Sequence, residues 1–248
     1  IGGLAQVLAQ TPADLERFIA LGLPPERGQV TGNLKESLVV PAAEVERGRA
    51  LRATALANRR VWIAGSLREG EVTAIAEAVA RVRAAVPDAV AILVPRHPER
   101  AEEFATALHT HDIISIRWNS LENPTSLAPG AVVLVDRVGV LLALYAAADV
   151  AFVGGTLAPF GGHNLLEPAL LGLPVIVGPS LEQVRPAAER LKAAGALAVV
   201  RDGASLAAEL IALLKDPQAA RRQGEAARDA VGDSGALAAT LAALRPYL

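Results

Sequence analysis

The sequence predicts an α/β fold, in which a doubly wound parallel sheet carries helices on both faces. Short runs rich in Val and Ile recur between residues 61 and 200. Most of the segments between them place apolar residues at helical spacing. Short strands that alternate with amphipathic helices are typical of a parallel sheet covered on both faces. The predicted strands are VWIA (61–64), VAILV (90–94), IISIR (113–117), AVVLV (131–135), VAFV (150–153), VIVG (175–178) and LAVV (197–200).

The helices follow from apolar periodicity and from capping residues. In residues 69–86 the apolar side chains fall on one helical face. Glu71, Glu77, Arg81 and Arg83 are expected on the outer face. Thr11 and Pro12 are a predicted N-cap and first helical residue for TPADLERFIALGL, with a short strand after it in GQVTGNLK (28–35). A polar helix is predicted within 41–60, and three helices are predicted within the last 45 residues.

Composition excludes several classes of function. The 248 residues carry a net charge of −2, which provides no global basic field for nucleic acid. The absence of Cys excludes disulfides, thiolate metal sites and Cys nucleophiles. No uninterrupted apolar stretch approaches the roughly 18–20 residues of a membrane helix. The nucleophile-elbow, Walker and dinucleotide-binding motifs are also absent.

The segment FVGGTLAPFGGHNLLEP (152–168) predicts an anion-binding site. Strand 150–153 delivers Gly154 and Gly155 at its carboxyl end, where doubly wound sheets bind ligands. Gly161 and Gly162 let the backbone approach a ligand closely, and Asn164 is a predicted N-cap for the following helix. The free amides there would bind phosphate or carboxylate, with His163 as a further donor and Glu167 accepting from ribose hydroxyls. The alternative is a capped turn with a solvated Glu.

Three further turns follow predicted strands at the same edge. In VPRHPER (94–100), two prolines stiffen a turn that presents Arg96 and His97, and Arg suits phosphate or carboxylate. The alternative is an ordinary turn with exposed basic residues. In AGSLREGEV (64–72), Ser66 is a weaker phosphate-binding candidate, with Glu69 or Glu71 opening the next helix. In VDRVGVL (135–141), Gly139 stands at the start of a predicted helix and is a weak candidate, since such a glycine more often marks only a tight turn.

Together these motifs resemble the 3-deoxy-D-manno-octulosonic acid (Kdo) transferases of Gram-negative bacteria. The resemblance is carried by PRHPER, by FVGGTLAPFGGHNLLEPALLGLPVIVGP and by VTGNLK, and it runs from about Leu8 to near the C-terminus. It implies a GT-B fold and inverting, metal-independent transfer of Kdo from CMP-Kdo to the lipid A precursor (lipid IVA), without a cofactor. It also implies a location at the cytoplasmic face of the bacterial inner membrane.

The resemblance also implies a division of the chain and a set of donor-binding residues. Residues 1–36 would be a remnant of the N-terminal acceptor domain, 37–60 an interdomain linker, 61–232 the nucleotide-sugar donor-binding domain and 233–248 a C-terminal helix. The expected donor-binding residues are Ser66, Arg96, His97, Gly139, Gly161, Gly162, His163, Asn164 and Glu167. The catalytic base and the membrane association are expected upstream, in a part that this chain lacks, so the piece alone is expected to be inactive.

The sequence departs from the family pattern in two places. The family usually has Thr-His after the position of Ser66, where this chain has Leu67 and Arg68, and Glu where it has Val140. Donor choice therefore remains open at the sequence level. Two alternatives also stay open: another GT-B transferase or epimerase that uses a UDP-sugar, and a nucleotide-binding module without catalysis.

Overall fold

A computed structural model of the chain describes residues 1, 3–34, 39–118, 127–232 and 235–247. The chain divides into two compact units. One unit combines Ile1–Val39 with Val231–Leu248, and the other is Val40–Ala230. The predicted strand over 28–35, the predicted linker and the predicted C-terminal helix each extend partly outside the described residues. The functional domain boundaries drawn from the sequence stay predictions.

The first unit begins with strand β1 (Val7–Ala9), helix α1 (Pro12–Ala20) and strand β2 (Gly28–Val30). The two strands pair in parallel, so the chain between them crosses over through α1. The predicted cap of α1 is confirmed, because the Thr11 hydroxyl oxygen accepts a hydrogen bond from the Asp14 amide at 3.1 Å. The sequence did not predict β1, which is only three residues long.

The second unit holds helices α2 to α9 and strands β3 to β9. In chain order they are α2 (Ala42–Ala53), β3 (Val61–Leu67), α3 (Val72–Ala85), β4 (Val90–Pro95), α4 (Ala101–His109), β5 (Ser115–Arg117), β6 (Val132–Leu134), α5 (Leu141–Ala147), β7 (Val150–Val153), α6 (Leu166–Leu170), β8 (Val175–Val177), α7 (Arg185–Ala193), β9 (Leu197–Val199), α8 (Gly203–Lys215) and α9 (Pro217–Val231). A last helix, α10 (Ala236–Leu244), belongs entirely to the first unit.

Within the described residues, the sheet of the second unit has seven parallel strands, in the order β5-β6-β4-β3-β7-β8-β9. The predicted fold class is therefore confirmed. Each predicted strand is present, although β5 and β6 are shorter than the apolar runs that predicted them.

Helices cover both faces of this sheet. Successive residues of β3 alternate between two hydrophobic cores, with Trp62 and Ala64 in one and Val61 and Ile63 in the other. The first core also contains apolar residues of α3, α4 and α8, and the second contains residues of α2 and α5. The polar helix predicted within 41–60 is α2, and it packs closely on α5. A Cβ at Gly48 would lie 2.5 Å from the Ala146 methyl group.

The strand order reverses between β3 and β7, which are neighbours in the centre of the sheet. Strands β4, β6 and β5 follow outward on one side of this pair, and β8 and β9 follow on the other. In open α/β sheets, the loops at the carboxyl ends of such a pair separate and leave a crevice for ligands. A ligand-binding site is therefore expected at the loops after β3 and β7. In the described part of the chain, no helix is long and apolar enough to cross a membrane.

Candidate functional site

A β-bulge ends strand β3 at the switch point. The register of β3 against β4 shifts between Gly65 and Leu67, and the intervening Ser66 has φ +57°. Few residues other than Gly adopt such a φ, so the bulge is a strained feature of the kind found near functional sites. Gly154, at the end of β7, donates its amide to the Gly65 carbonyl at 2.8 Å. A Cβ at Gly154 would lie 2.5 Å from the Ser66 carbonyl oxygen, so this approach requires glycine.

Glu71 ties the loops after β3 and β7 together. The prediction that Glu71 lies on the outer face of its helix is wrong, since the residue is fully buried. Its carboxylate accepts hydrogen bonds from four backbone amides, those of Arg68, Gly155, Thr156 and Leu157, at 2.8–3.0 Å. A buried carboxylate needs such donors to replace water. The helix prediction failed here because α3 begins only at Val72, after a 3₁₀ turn over Glu69–Glu71.

The sequence carried one indication of this role. Glu71 stands three residues after Arg68, and its return bond to the Arg68 amide is one half of a capping box. The other three donors lie in a loop 84 to 86 residues away. Spacing along the chain cannot reveal those contacts.

The loop from Thr156 to Leu165 leaves four backbone amides without a hydrogen-bond partner among the described residues. Gly161 and Gly162 have φ of +80° and +89°, and their amides donate within the fold, to the Ser180 hydroxyl and the Gly155 carbonyl, both at 2.8 Å. The amides of His163, Asn164 and Leu165 have no hydrogen-bond partner among the described residues. The fourth such amide is that of Ala158, so three of the four follow the glycine pair.

Asn164 organises the start of α6, with a difference from the predicted cap. Its side-chain oxygen accepts from the Leu166 amide at 2.9 Å, and its side-chain amide donates to Glu167 Oε1 at 3.1 Å. Leu165, one residue later, occupies the N-cap position. Because α6 has only five residues, its free amides act as individual donors with little support from a helix dipole.

Four of the predicted site residues interact electrostatically. Burial raises the pKa of Glu167, while the Asn164 hydrogen bond and the charge of Arg96 oppose that rise. Burial also lowers the pKa of His163, and the charges of Arg96, Arg68 and His97 lower it further. In the chain without a ligand, His163 is accordingly neutral near pH 7. Its Nε2 is buried with no hydrogen-bond partner among the described residues.

The remaining predicted residues lie at the same sheet edge. Arg96 and His97 are exposed after β4, and the Arg96 amide donates to the Leu67 carbonyl at 2.8 Å. Gly139 is exposed in the loop between β6 and α5, with φ +83°. No described atom lies within 4 Å of the position that its Cβ would take, so it faces open space. Val140, where the family pattern has Glu, is buried in the core.

Two neighbours of the site were not among the predicted donor-binding residues. The Arg68 guanidinium lies 4.1 Å from the centroid of the Phe160 ring, and its Nε is 3.3 Å from Glu69 Oε2. Arg68 also packs beside Gly155, next to His163. On the opposite side of β3, a Cβ at Gly65 would collide with the buried Tyr145 hydroxyl. The sequence marked Arg68 only as a departure from the family pattern.

We refer to these loops at the carboxyl edge of the sheet as the crevice. Arg96, His97, Gly139 and Asn164 are all exposed. A separate cavity of about 530 Å³ lies at the amino edge of the sheet, and none of the predicted site residues line it. Among the described residues, no group of three or more His, Asp or Glu side chains is arranged to hold a metal ion.

Comparison with known proteins identifies relatives of the chain. The 3-deoxy-D-manno-octulosonic acid transferase of Bordetella pertussis is 36% identical over 255 residues, which cover 100% of this chain and 58% of that protein. The chain spans roughly half of the length of the curated Kdo transferases that it matches. No protein-family model matches the chain.

Solved structures agree with the sequence relatives. The C-terminal CMP-Kdo binding domain of WaaA from Acinetobacter baumannii superposes with a TM-score of 0.70 at 29% identity, covering 78% of this chain and 100% of that domain. UDP-GlcNAc 2-epimerase from Neisseria meningitidis superposes with a TM-score of 0.60 at 14% identity, covering 98% of this chain and 61% of that one. At that identity the epimerase shows only the shared GT-B type of fold. The chain belongs to the 3-deoxy-D-manno-octulosonic acid (Kdo) transferase family, and its fold matches that of a solved C-terminal CMP-Kdo binding domain.

Proposed function

We propose that the crevice binds the cytidylate of CMP-Kdo and that the chain is the donor-binding part of a glycosyltransferase. The complete enzyme would transfer Kdo to the lipid A precursor at the cytoplasmic face of the bacterial inner membrane. One observation carries the proposal. The unpaired amides that begin at His163, the Arg96 guanidinium and the half-buried Glu167 carboxylate lie together at the switch point of the sheet. The chain that carries them is related to Kdo transferases.

The phosphate of the nucleotide would bind the unpaired amides of His163 and Asn164, which are not fully buried. Successive backbone N–H groups suit phosphate oxygens. Arg96, whose charge acts on both His163 and Glu167, would supply paired donors from the other side. When the bond to Kdo breaks, negative charge grows on the departing phosphate. Donors already held in place stabilise that charge.

The ribose would bind Glu167. Glu167 Oε1 accepts the Asn164 side-chain amide, which leaves Oε2 to accept from a ribose hydroxyl. Because burial raises the pKa of Glu167, the carboxylate gains from a hydroxyl donor more than a solvated carboxylate would.

Arg68 would add a second cation to the donor side. It lies beside Gly155 and near His163, and its contact with Phe160 restrains the guanidinium. This position is His in the family pattern. Arg stays charged at all physiological pH values, so this chain would hold its anionic donor with less dependence on pH at this position.

The acceptor side and the catalytic base are assigned to the part of the complete enzyme outside this chain. The Bordetella protein is longer than the matched region, since the chain covers 58% of it. Contact with the lipid A precursor and with the membrane is assigned to that additional length as well. The chain alone would then bind donor without transferring Kdo.

Calorimetric titration with CMP and with UDP tests the donor assignment. We expect CMP to bind, and Arg96→Ala or Glu167→Ala to weaken binding about tenfold to a hundredfold, as the loss of a hydrogen bond to a charged group does. Arg83→Ala, on the far end of α3, is a matched control and should bind CMP normally. Tighter binding of UDP than of CMP would favour a UDP-sugar enzyme. An absence of heat with both nucleotides would refute the proposal.

A further inference from the structure

The cavity at the amino edge of the sheet is a second concentration of positive charge. It has a volume of about 530 Å³ and lies in the second unit. Its charged lining is four arginines and two carboxylates: Arg52, Arg60, Arg221, Arg228, Asp149 and Glu225. The lining therefore carries a net charge of +2 when all six groups are ionised. The Asp149 carboxylate is already paired, because its Oδ1 accepts a hydrogen bond from Arg52 Nη2 at 2.9 Å.

The location of Asp149 separates this cavity from the donor crevice. Asp149 immediately precedes β7, and its Oδ2 accepts from the amide of Val61, the first residue of β3. Both strands therefore begin at the cavity and end at the crevice. A strand rises about 3.3 Å per residue, so the seven residues of β3 place the two sites roughly 20 Å apart.

Close packing of α9 brings two of the arginines to the cavity. Gly224 is buried, and a Cβ there would collide with the Gly172 carbonyl oxygen, so α9 packs directly on the turn after α6. Arg221 and Arg228 lie about one turn before and one turn after Gly224, on the same side of α9. Arg228 lies against the backbone of that turn, because a Cβ at Gly172 would be 2.5 Å from Arg228 Nη2.

Arg221 and Arg228 have unused hydrogen-bonding capacity. Neither guanidinium has a hydrogen bond or an ion pair with any residue in the described ranges, although both line the cavity. Arg52 and Arg60, by contrast, contact Asp149 and Asp88. Planar guanidinium groups with free donors are suited to bidentate binding of phosphate.

The rest of the lining is apolar. Leu171, Leu173, Leu213, Leu214, Pro217 and Ala220 form this part of the wall. The volume lies in the range of sites for small organic ligands, which combine an apolar wall with a few placed charges. A ligand that fits both parts of the lining carries a phosphate and an apolar body.

We propose that this cavity is a second anion site, at which Arg221 and Arg228 bind the phosphate group of a small phosphate-bearing ligand. The ligand is bound independently of the nucleotide in the donor crevice. Its apolar portion contacts the leucine wall. The phosphate could be free in solution or could belong to a lipid headgroup, and the test separates these two sources.

The first arm of the test measures stabilisation of the chain by inorganic phosphate, in the presence of saturating CMP to occupy the donor crevice. We expect phosphate to raise Tm in a saturable manner relative to chloride at equal ionic strength. The variants Arg221→Ala and Arg228→Ala should each weaken the apparent affinity about tenfold or more. Arg222→Ala, on the same helix but absent from the cavity lining, is the matched control.

The second arm compares dihexanoyl phosphatidic acid, below its micelle concentration, with dihexanoyl phosphatidylcholine. Tighter binding of the phosphatidic acid than of phosphate would identify a lipid headgroup as the source, and equal binding would identify a soluble phosphate. Arg221→Glu should abolish binding in both arms while the variant keeps a wild-type Tm without ligand. The proposal is overturned if phosphate gives no saturable shift, or if Arg222→Ala loses as much affinity as Arg221→Ala. Neither result bears on CMP binding, so the two proposals fail separately.

Discussion

At the scale of single residues, Glu71 has the largest structural role in the crevice. Its carboxylate accepts from an amide three residues away and from three more in a loop 84 to 86 residues away. These donors remove the cost of burying the charge. They also fix Gly155 and Thr156, and thereby the start of the loop that leads to Asn164 and Glu167. Glu71 is not expected to contact the nucleotide-sugar, yet it controls the geometry of the residues that would bind it.

Replacement of Glu71 by Gln should destabilise the second unit strongly. The Gln side chain has one oxygen acceptor, so its amide group would face two of the four backbone N–H donors. Two unsatisfied buried donors cost about 2–6 kcal/mol, which lowers Tm by several degrees or more in a chain of this size. Thermal unfolding followed by circular dichroism measures this change.

Glu69→Gln is the matched control for Glu71→Gln. Glu69 is only partly buried, and its ion pairs with Arg68 and Arg100 are at 3.3 and 3.6 Å. Such pairs contribute about 0–1 kcal/mol. Equal stability of the two variants would contradict the role assigned to Glu71.

His163 should make CMP binding dependent on pH. Its pKa is lowered in the free chain, first by burial and then by neighbouring cations, so the imidazole is neutral at pH 7. A bound phosphate dianion favours the imidazolium form and raises the pKa again. CMP binding should therefore take up protons, and CMP affinity should increase as the pH falls from about 8 towards 6.5, the ordinary pKa of His.

Titrations in two buffers that differ in ionisation enthalpy measure this proton uptake. The uptake should disappear in His163→Asn and persist in His111→Asn, because His111 lies beyond the end of α4. If the two variants take up equal numbers of protons, His163 is not the titrating group.

At the scale of secondary-structure elements, glycines decide how closely the loops approach. Gly155 has φ +69°, and a Cβ there would lie 2.8 Å from the His163 imidazole. Gly195 has nearly the same φ, +67°, but no described atom lies within 4 Å of its Cβ position. A comparison of substitutions at the two positions therefore distinguishes the effect of backbone strain from the effect of a steric collision.

Gly155→Ala should weaken CMP binding, whereas Gly195→Ala should not. Both substitutions destabilise the fold by about 1–2 kcal/mol through the left-handed backbone. Only the first displaces His163, and with it the unpaired amide that is expected to bind phosphate. We expect a loss of affinity of about tenfold, measured by calorimetric titration. Unchanged affinity in Gly155→Ala would show that the position of His163 does not matter for the nucleotide.

The elements of the second unit could largely be predicted from the sequence, and their contacts could not. Val- and Ile-rich runs identified the seven strands because a strand buried on both faces must be apolar along its whole length. The turn residues Arg96 and Asn164 could be placed on one edge because parallel strands share a carboxyl edge. The inward turn of Glu71 and the stacking of Arg68 on Phe160 depend on residues far away in sequence, which periodicity does not identify.

At the scale of the whole molecule, the chain divides in a way that its sequence order does not suggest. Residues from both ends, Ile1–Val39 and Val231–Leu248, make one unit, and the continuous segment Val40–Ala230 makes the other. Within the first unit, a Cβ at Gly32 would lie 3.1 Å from the Ala236 methyl group, so α10 contacts the segment after β2. Ala236, Thr240 and Ala243 are the buried residues of α10.

Removal of residues 235–248 should therefore affect the two units differently. Helix α10 covers apolar surface of the first unit, whose own α1 has no buried residue among those described, so we expect residues 3–34 to lose protection. The donor crevice lies entirely within Val40–Ala230, so CMP affinity should stay within about twofold of that of the full chain. Hydrogen exchange measured by mass spectrometry, with and without CMP, reports on both units in one experiment. A uniform loss of protection across residues 40–230 would mean that the two units unfold as one, and it would contradict this division of the molecule.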